Sequence, residues 1–239
     1  MPQVRVDPIT GLKTIIAGER AVRPGGGFDV PPDKPVDIER DPFLPGHEDQ
    51  TPPEVYSVPD GNGSWKVRAF PNLYPALAAE GGPPSNDANP DLFTSRPALG
   101  AHEVIVNAPE PVTSLADLSP EQVAIAVEAW RERMRAHADA ACRHLIVNER
   151  KEAGASLPHT HAQLYALDFV PAAIAREREH FGAYAVRTMG GNLLADLVQE
   201  EVRRRERIVA IDDEAVLMAP YASRVPFHLL LAPRRARPR

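Results

Sequence analysis

Cysteine is almost absent from this chain, with Cys142 alone among 239 residues. No internal disulfide can form, and no cysteine-based zinc cluster can be built. A single cysteine of this kind reads as a small apolar packing residue. Long apolar runs are lacking too, and the N-terminus has no basic-then-apolar signal pattern, so the expectation is no membrane span and a cytoplasmic location. An excess of basic charge is also missing: 27 Lys and Arg stand against 33 Asp and Glu, a formal net charge of −6. Nonspecific nucleic-acid binders use surplus cations to displace counterions, so that class is excluded. Phosphate binding by a few local groups is not. The run Arg203-Arg204-Arg205-Glu206-Arg207 is the one basic cluster. It reads as the solvated end of a helix, where cations suit the helix dipole.

A composition of 43% apolar and 25% charged residues, at this length, can bury a real core. Residues 1 to about 65 are rich in Pro, Gly and Asp and read as loops and short strands wrapped on something else. Residues 65–70 alternate as a strand, with a turn over 70–77. Residues 79–99 have the small polar composition of a loop, which lids share. Residues 103–107 (EVIVN) form a strand. Ser119, Pro120 and Gln122 then supply an N-cap, a first-turn proline and a capping-box partner. Apolar residues recur at helical spacing from Val123 to Ala141, predicting an amphipathic helix to about residue 142 whose stripe is core. Strands follow at 144–148 and 159–167, separated by a turn. A second helical stretch runs from Pro171 to about Arg205, interrupted near Gly190-Gly191. Short strands at 208–211, 215–218 and 228–231 complete the pattern.

The run Gly154 to Leu164 (GASLPHTHAQL) carries the chemistry. If it is extended, a period of two puts His159, His161 and Gln163 on one sheet face, converging on one pocket. A neutral imidazole is a good nucleophile near pH 7, and a primary amide can donate to a phosphoryl oxygen as charge builds there. The other histidine can orient its neighbour, bind metal or donate to substrate. Small residues upstream let backbone N–H groups approach an anion. For a bare His-x-His, a surface strand or part of a metal site is the favoured reading. Gly154, Ser156 and Gln163 around it favour phosphate chemistry.

This run, with Asn148 upstream, resembles the active-site segment of galactose-1-phosphate uridylyltransferases, a branch of the histidine triad superfamily. Residues 41–54 (DPFLPGHEDQTPPE), 70–77 (FPNLYPAL) and 219–235 (APYASRVPFHLLLAPRR) agree in order and content. The resemblance implies an α+β fold. Residues 1–170 would form a histidine-triad-like half with an antiparallel sheet, packed helices and the nucleotide site, and 171–239 the start of a truncated second half. It implies transfer of a uridylyl group between UDP-hexose and hexose 1-phosphate, as in galactose metabolism, through a nucleotidyl-histidine intermediate. His161 matches the family's nucleophile. Gln163 matches the residue that binds phosphoryl oxygens, Ser156 and Asn148 those that contact nucleotide phosphates, and Asn72 a position near the uridine. A homodimer is implied as well.

His159 matches a metal ligand of zinc-containing members. The other ligand positions read Asp41, Leu44 and Pro111, so the expectation is that the zinc site is lost and no cofactor is bound. His47 and His102 read as exposed loop and strand-edge histidines without chemistry. Two alternatives stand beside uridylyl transfer. One is an adenylyl-transferring relative of the ADP-sugar or dinucleotide phosphorylase type. The other is a degenerate nucleotide-binding protein with little turnover, motivated by the missing zinc ligands and the short second half.

Overall fold

In the computed structural model, residues 1–22, 35–82 and 92–235 are described. The lid-like composition read over 79–99 falls largely on 83–91, outside those residues. Elements run in the order β1 (Gln3–Val6), β2 (Lys13–Ile16), β3 (Tyr56–Pro59), β4 (Trp65–Pro71), β5 (Gly100–Val106), α1 (Pro120–Ala136), β6 (Cys142–Val147), β7 (His161–Leu167), α2 (Ala172–Arg187), α3 (Leu193–Arg204), β8 (Ile208–Ile211), β9 (Ala215–Met218) and β10 (Leu230–Pro233). The chain divides into two compact units, residues 31–170 and residues 1–30 with 171–239. The first residues therefore group with the C-terminal segment, rather than with the half that ends at residue 170. Four-residue strands such as β1 and β2 have no sequence signal of which sheet or unit they join. Among the described residues no helix is long and apolar enough to cross a membrane.

The unit spanning 31–170 is built on a five-stranded antiparallel sheet in the order β3-β4-β5-β7-β6. Alternation along each strand separates two faces. One face presents Val67, Ala69, Ile105, Ala162 and Leu164, which pack with Ala126 and Ala129 of α1 as the core. Burial of each large aliphatic there contributes about 1.5 to 3 kcal/mol. Small alanines on strand and helix let α1 lie close. Ser119 caps α1 by accepting the Gln122 N–H. Gln122 in turn donates its amide to the Lys66 and Asn107 carbonyls, tying the helix start to the sheet. Farther along α1, Arg133 and His137 meet the buried Glu103 carboxylate at 2.7–2.8 Å. The helix ends at Ala136, short of the predicted 142, because His137 turns in to Glu103 and Cys142 already begins β6. Gly100 opens β5 at φ 141, and a Cβ there would lie 2.0 Å from the Ala166 carbonyl, so only glycine permits this pairing.

The opposite face of the same sheet carries the polar residues. His102, Val104 and Val106 of β5 stand opposite Tyr165, Gln163 and His161 of β7. Arg68 and Phe70 of β4 continue the row. Residues 41–54 pack against this face through Phe43, which clusters with Trp65, Phe70, Val104 and Val106. Polar contacts fix that loop: Glu48 accepts from the Trp65 indole and the Gly46 N–H, and Arg68 reaches Thr51, the Glu48 carbonyl and Glu54.

In the other unit, β1 pairs with β2, and β10-β9-β8 form a three-stranded antiparallel sheet. Val198 of α3 packs on Val216, Met218 and Ala232. Asn192 caps α3, which follows the predicted interruption at Gly190-Gly191.

Candidate functional site

The backbone leading into β7 is held before the strand starts. The Thr160 N–H donates to the Val112 carbonyl, its carbonyl accepts from the Asn107 N–H, and its hydroxyl accepts from the Asn107 amide. Asn107 is itself buried and accepts from the Trp130 indole of α1. The strand proper begins at His161 rather than at His159. The expectation of three side chains lining one pocket is therefore corrected. His161 and Gln163 share a strand face, whereas His159 lies before the strand and is completely buried.

His159 has a partner at each ring nitrogen. Nε2 donates to the Ala108 carbonyl at 2.9 Å, and Nδ1 meets Asp41 Oδ2 at 2.5 Å. A carbonyl can only accept, so Nε2 carries hydrogen, and a further proton is shared between Nδ1 and the carboxylate. The result is a buried hydrogen-bonded pair between residues 118 apart in sequence. Asp41 is fixed in turn, since its Oδ1 accepts the Phe43 N–H and its carbonyl accepts from His47 Nδ1.

His161 is 5% exposed. Its Nδ1 donates to the His159 carbonyl at 2.8 Å, which leaves the lone pair on Nε2. Burial lowers its pKa from the ordinary 6.5, partly offset by the hydrogen bond to the His159 carbonyl, so the ring is neutral near pH 7. The edge of Phe43 packs against both histidines, with centroids 6.1 Å from His159 and 5.2 Å from His161. One aromatic side chain thus lines a side of both imidazoles.

Gln163, two residues on, accepts at Oε1 from His102 Nε2 at 2.9 Å and from the Tyr165 hydroxyl at 3.1 Å. His102 is 6% exposed, not the strand-edge surface residue its sequence context implies. Residues 72–78 cover it: Ala76 N–H donates to its Nδ1, and Asn72 brings Nδ2 to 3.2 Å from its Nε2. Asn72 and Gln163 are thereby brought together around one imidazole.

Asn148 follows the Val147–Ala162 pair, at the end of the ladder beside His161, and by alternation shares that residue's face. After it the chain turns through Arg150, whose carbonyl accepts from Ala153 and Ala155. Gly154 ends the turn at φ 92, a conformation open to glycine, and a Cβ there would lie 3.9 Å from Asn148 Nδ2. Asn148 and Gly154 are therefore neighbours. Ser156 lies exposed in the segment between that turn and His159.

Residues 1–171 match the family model described as galactose-1-phosphate uridyl transferase, N-terminal domain. The chain belongs to this family. Among curated relatives it is 28% identical to an ADP-glucose phosphorylase of Arabidopsis thaliana, over 98% of this chain and 66% of that protein. It is 29% identical to a galactose-1-phosphate uridylyltransferase of Cryptococcus neoformans, over 96% of this chain and 62% of that protein. The chain thus spans less than two thirds of either relative. Among solved structures, an Arabidopsis thaliana ADP-glucose phosphorylase with bound ADP-glucose superposes with a TM-score of 0.76 at 26% identity, covering 98% of this chain and 69% of that one. A uridylyltransferase structure superposes at 0.69, also 26% identical, over 99% and 68%.

For a uridyl transferase family member, the donor set at the expected zinc position is the point of departure. Tetrahedral zinc takes four donors. Leu44 and Pro111 carry none, which leaves only Asp41 and His159 as donors among those four positions. The residues present do not fit a zinc ion.

Proposed function

We propose that this chain is a nucleotidyltransferase acting on a nucleotide sugar and a sugar phosphate, with His161 as the covalent nucleophile. The observation that carries this reading is the hydrogen bond from His161 Nδ1 to the His159 carbonyl, which commits the Nε2 lone pair to the open side of a buried, neutral ring. In the first step Nε2 forms a bond to the α-phosphorus, the bond from that phosphorus to the bridging oxygen breaks, and the electron pair leaves with the sugar 1-phosphate. In the second, a phosphate oxygen of the acceptor bonds to the same phosphorus and the N–P pair returns to Nε2. No proton leaves Nδ1 in either step. The cationic ring of the intermediate is stabilised by the His159 carbonyl it donates to.

Gln163 donates to the phosphoryl oxygens, Asn148, Gly154 and Ser156 hold the nucleotide phosphates, and Asn72 lies toward the base. His159 contributes by orienting His161 through its main chain while the Asp41 pair holds it in place. The reaction is assigned no metal at this position. A homodimer and a cytoplasmic location belong to the same reading.

The leading substrate is UDP-hexose. ADP-sugar is the second reading, supported by the higher TM-score to the ADP-glucose phosphorylase structure, 0.76 against 0.69. Incubation with UDP-glucose or ADP-glucose and intact-mass measurement tests both, since the mass of the trapped adduct identifies the nucleotide. A uridylyl adduct alone is the expected result, and an adenylyl adduct alone assigns the other base.

A further inference from the structure

A histidine buried in a strand interior must find partners for both ring nitrogens. The partners of His102 form a chain of constraint that begins at a backbone group. Ala76 N–H, a group that can only donate, lies 3.1 Å from Nδ1. Nδ1 is therefore an acceptor, and the ring hydrogen sits on Nε2. Nε2–H in turn donates to Gln163 Oε1. The Tyr165 hydroxyl donates to the same oxygen, and Tyr165 lies stacked on His102 with centroids 4.1 Å apart at 22°.

Both lone pairs of the Gln163 carbonyl are thus taken, so its NH2 end is turned away from His102. Without those donors a glutamine amide could present either end to a ligand, and the carbonyl end would repel a phosphate. Asn72 is set the same way: its Oδ1 accepts the Tyr74 N–H at 2.8 Å. On the tautomer fixed by Ala76, its NH2 meets the His102 N–H as donor against donor, leaving it available to an acceptor supplied by a ligand.

We propose that His102 is a positioning residue, which fixes the Gln163 amide so that its NH2 end donates to the phosphoryl oxygens at His161. This inference rests on the nucleotidyl-transfer reading above. His102 itself touches no reacting atom. Its effect should appear in the rate of phosphoryl transfer, where charge builds on the oxygens, more than in ground-state binding.

The test is a double-mutant cycle on the single-turnover rate of adduct formation with UDP-glucose and ADP-glucose, using wild type, His102→Phe, Gln163→Ala and the double variant. His102→Phe keeps a ring to stack on Tyr165 and removes the donor. The expected loss is on the order of tenfold to a hundredfold in the saturating rate, the range for misplacing a catalytic group, with little change in the half-saturating concentration. In the Gln163→Ala background the same substitution should cost almost nothing, because the group it positions is gone. A role confined to holding the sheet together would instead give the same loss in both backgrounds, and that overturns the proposal.

A His102→Phe rate equal to wild type overturns it too, while leaving the nucleotidyl-transfer reading intact. Absence of any adduct on wild type overturns both. Should His102→Phe melt well below wild type, the cycle is run with Tyr165→Phe, which deletes the second donor alone. Coupling to Gln163 is again the expected result, and additivity overturns the assignment.

Discussion

His161 owes its properties to one hydrogen bond and to exclusion of water. Desolvation lowers its pKa from 6.5, and the Nδ1 bond fixes which nitrogen is free. The rate of adduct formation should therefore stay level as pH falls toward 6.5, with its acid limb below that value; a limb above 6.5 contradicts the assignment. The stability effect has the same direction. Between the lowered native value and 6.5 the unfolded chain binds the proton that the native ring refuses, so the contribution is complete above 6.5 and is lost as pH drops through the native value. The alternation of His161 and Gln163 was legible in the sequence, because a period of two needs no tertiary information. The role of His102 was not. Its partners Ala76 and Gln163 lie 26 and 61 residues away, and nothing local distinguishes a buried strand histidine from an exposed one.

Among the elements, the loop over 41–54 and the entry to β7 act as a pair. A zinc ion would join such segments through four donors; here the Asp41–His159 hydrogen bond does so with two side chains and a carbonyl. Removing Asp41 leaves a buried ring nitrogen of His159 without its partner, so Asp41→Ala should cost about 1 to 3 kcal/mol in denaturant unfolding. A loss below about 1 kcal/mol, the size of an exposed pair, would show that the contact does not hold the loop. Protein purified without chelators should contain far less than stoichiometric zinc, and a stoichiometric amount by metal analysis would contradict the donor-set argument. The family resemblance pointed to Leu44 and Pro111 as positions without a donor side chain. That Asp41 pairs with His159 depends on a fold that brings residues 118 apart together. For α1, the cap at Ser119 was readable and the end at Ala136 was not, since alanines continue the helical spacing past the point where His137 turns to Glu103.

Over the whole molecule, every residue of the candidate site belongs to the unit spanning 31–170, from Asn72, His102 and Asn148 to the Asp41–His159–His161 group. The side chains of the candidate site are thus positioned by elements of that one unit. The five strands and α1 of this unit were mostly visible as alternation and helical spacing, whereas the grouping of residues 1–30 with 171–239 follows from long-range packing that short strands do not announce. The measurement closest to the central claim is the intact mass of wild type and of His161→Ala after incubation with UDP-glucose or ADP-glucose. The account predicts one added nucleotidyl group on wild type and none on a folded His161→Ala protein. An unmodified wild type, or equal modification of both proteins, would contradict it.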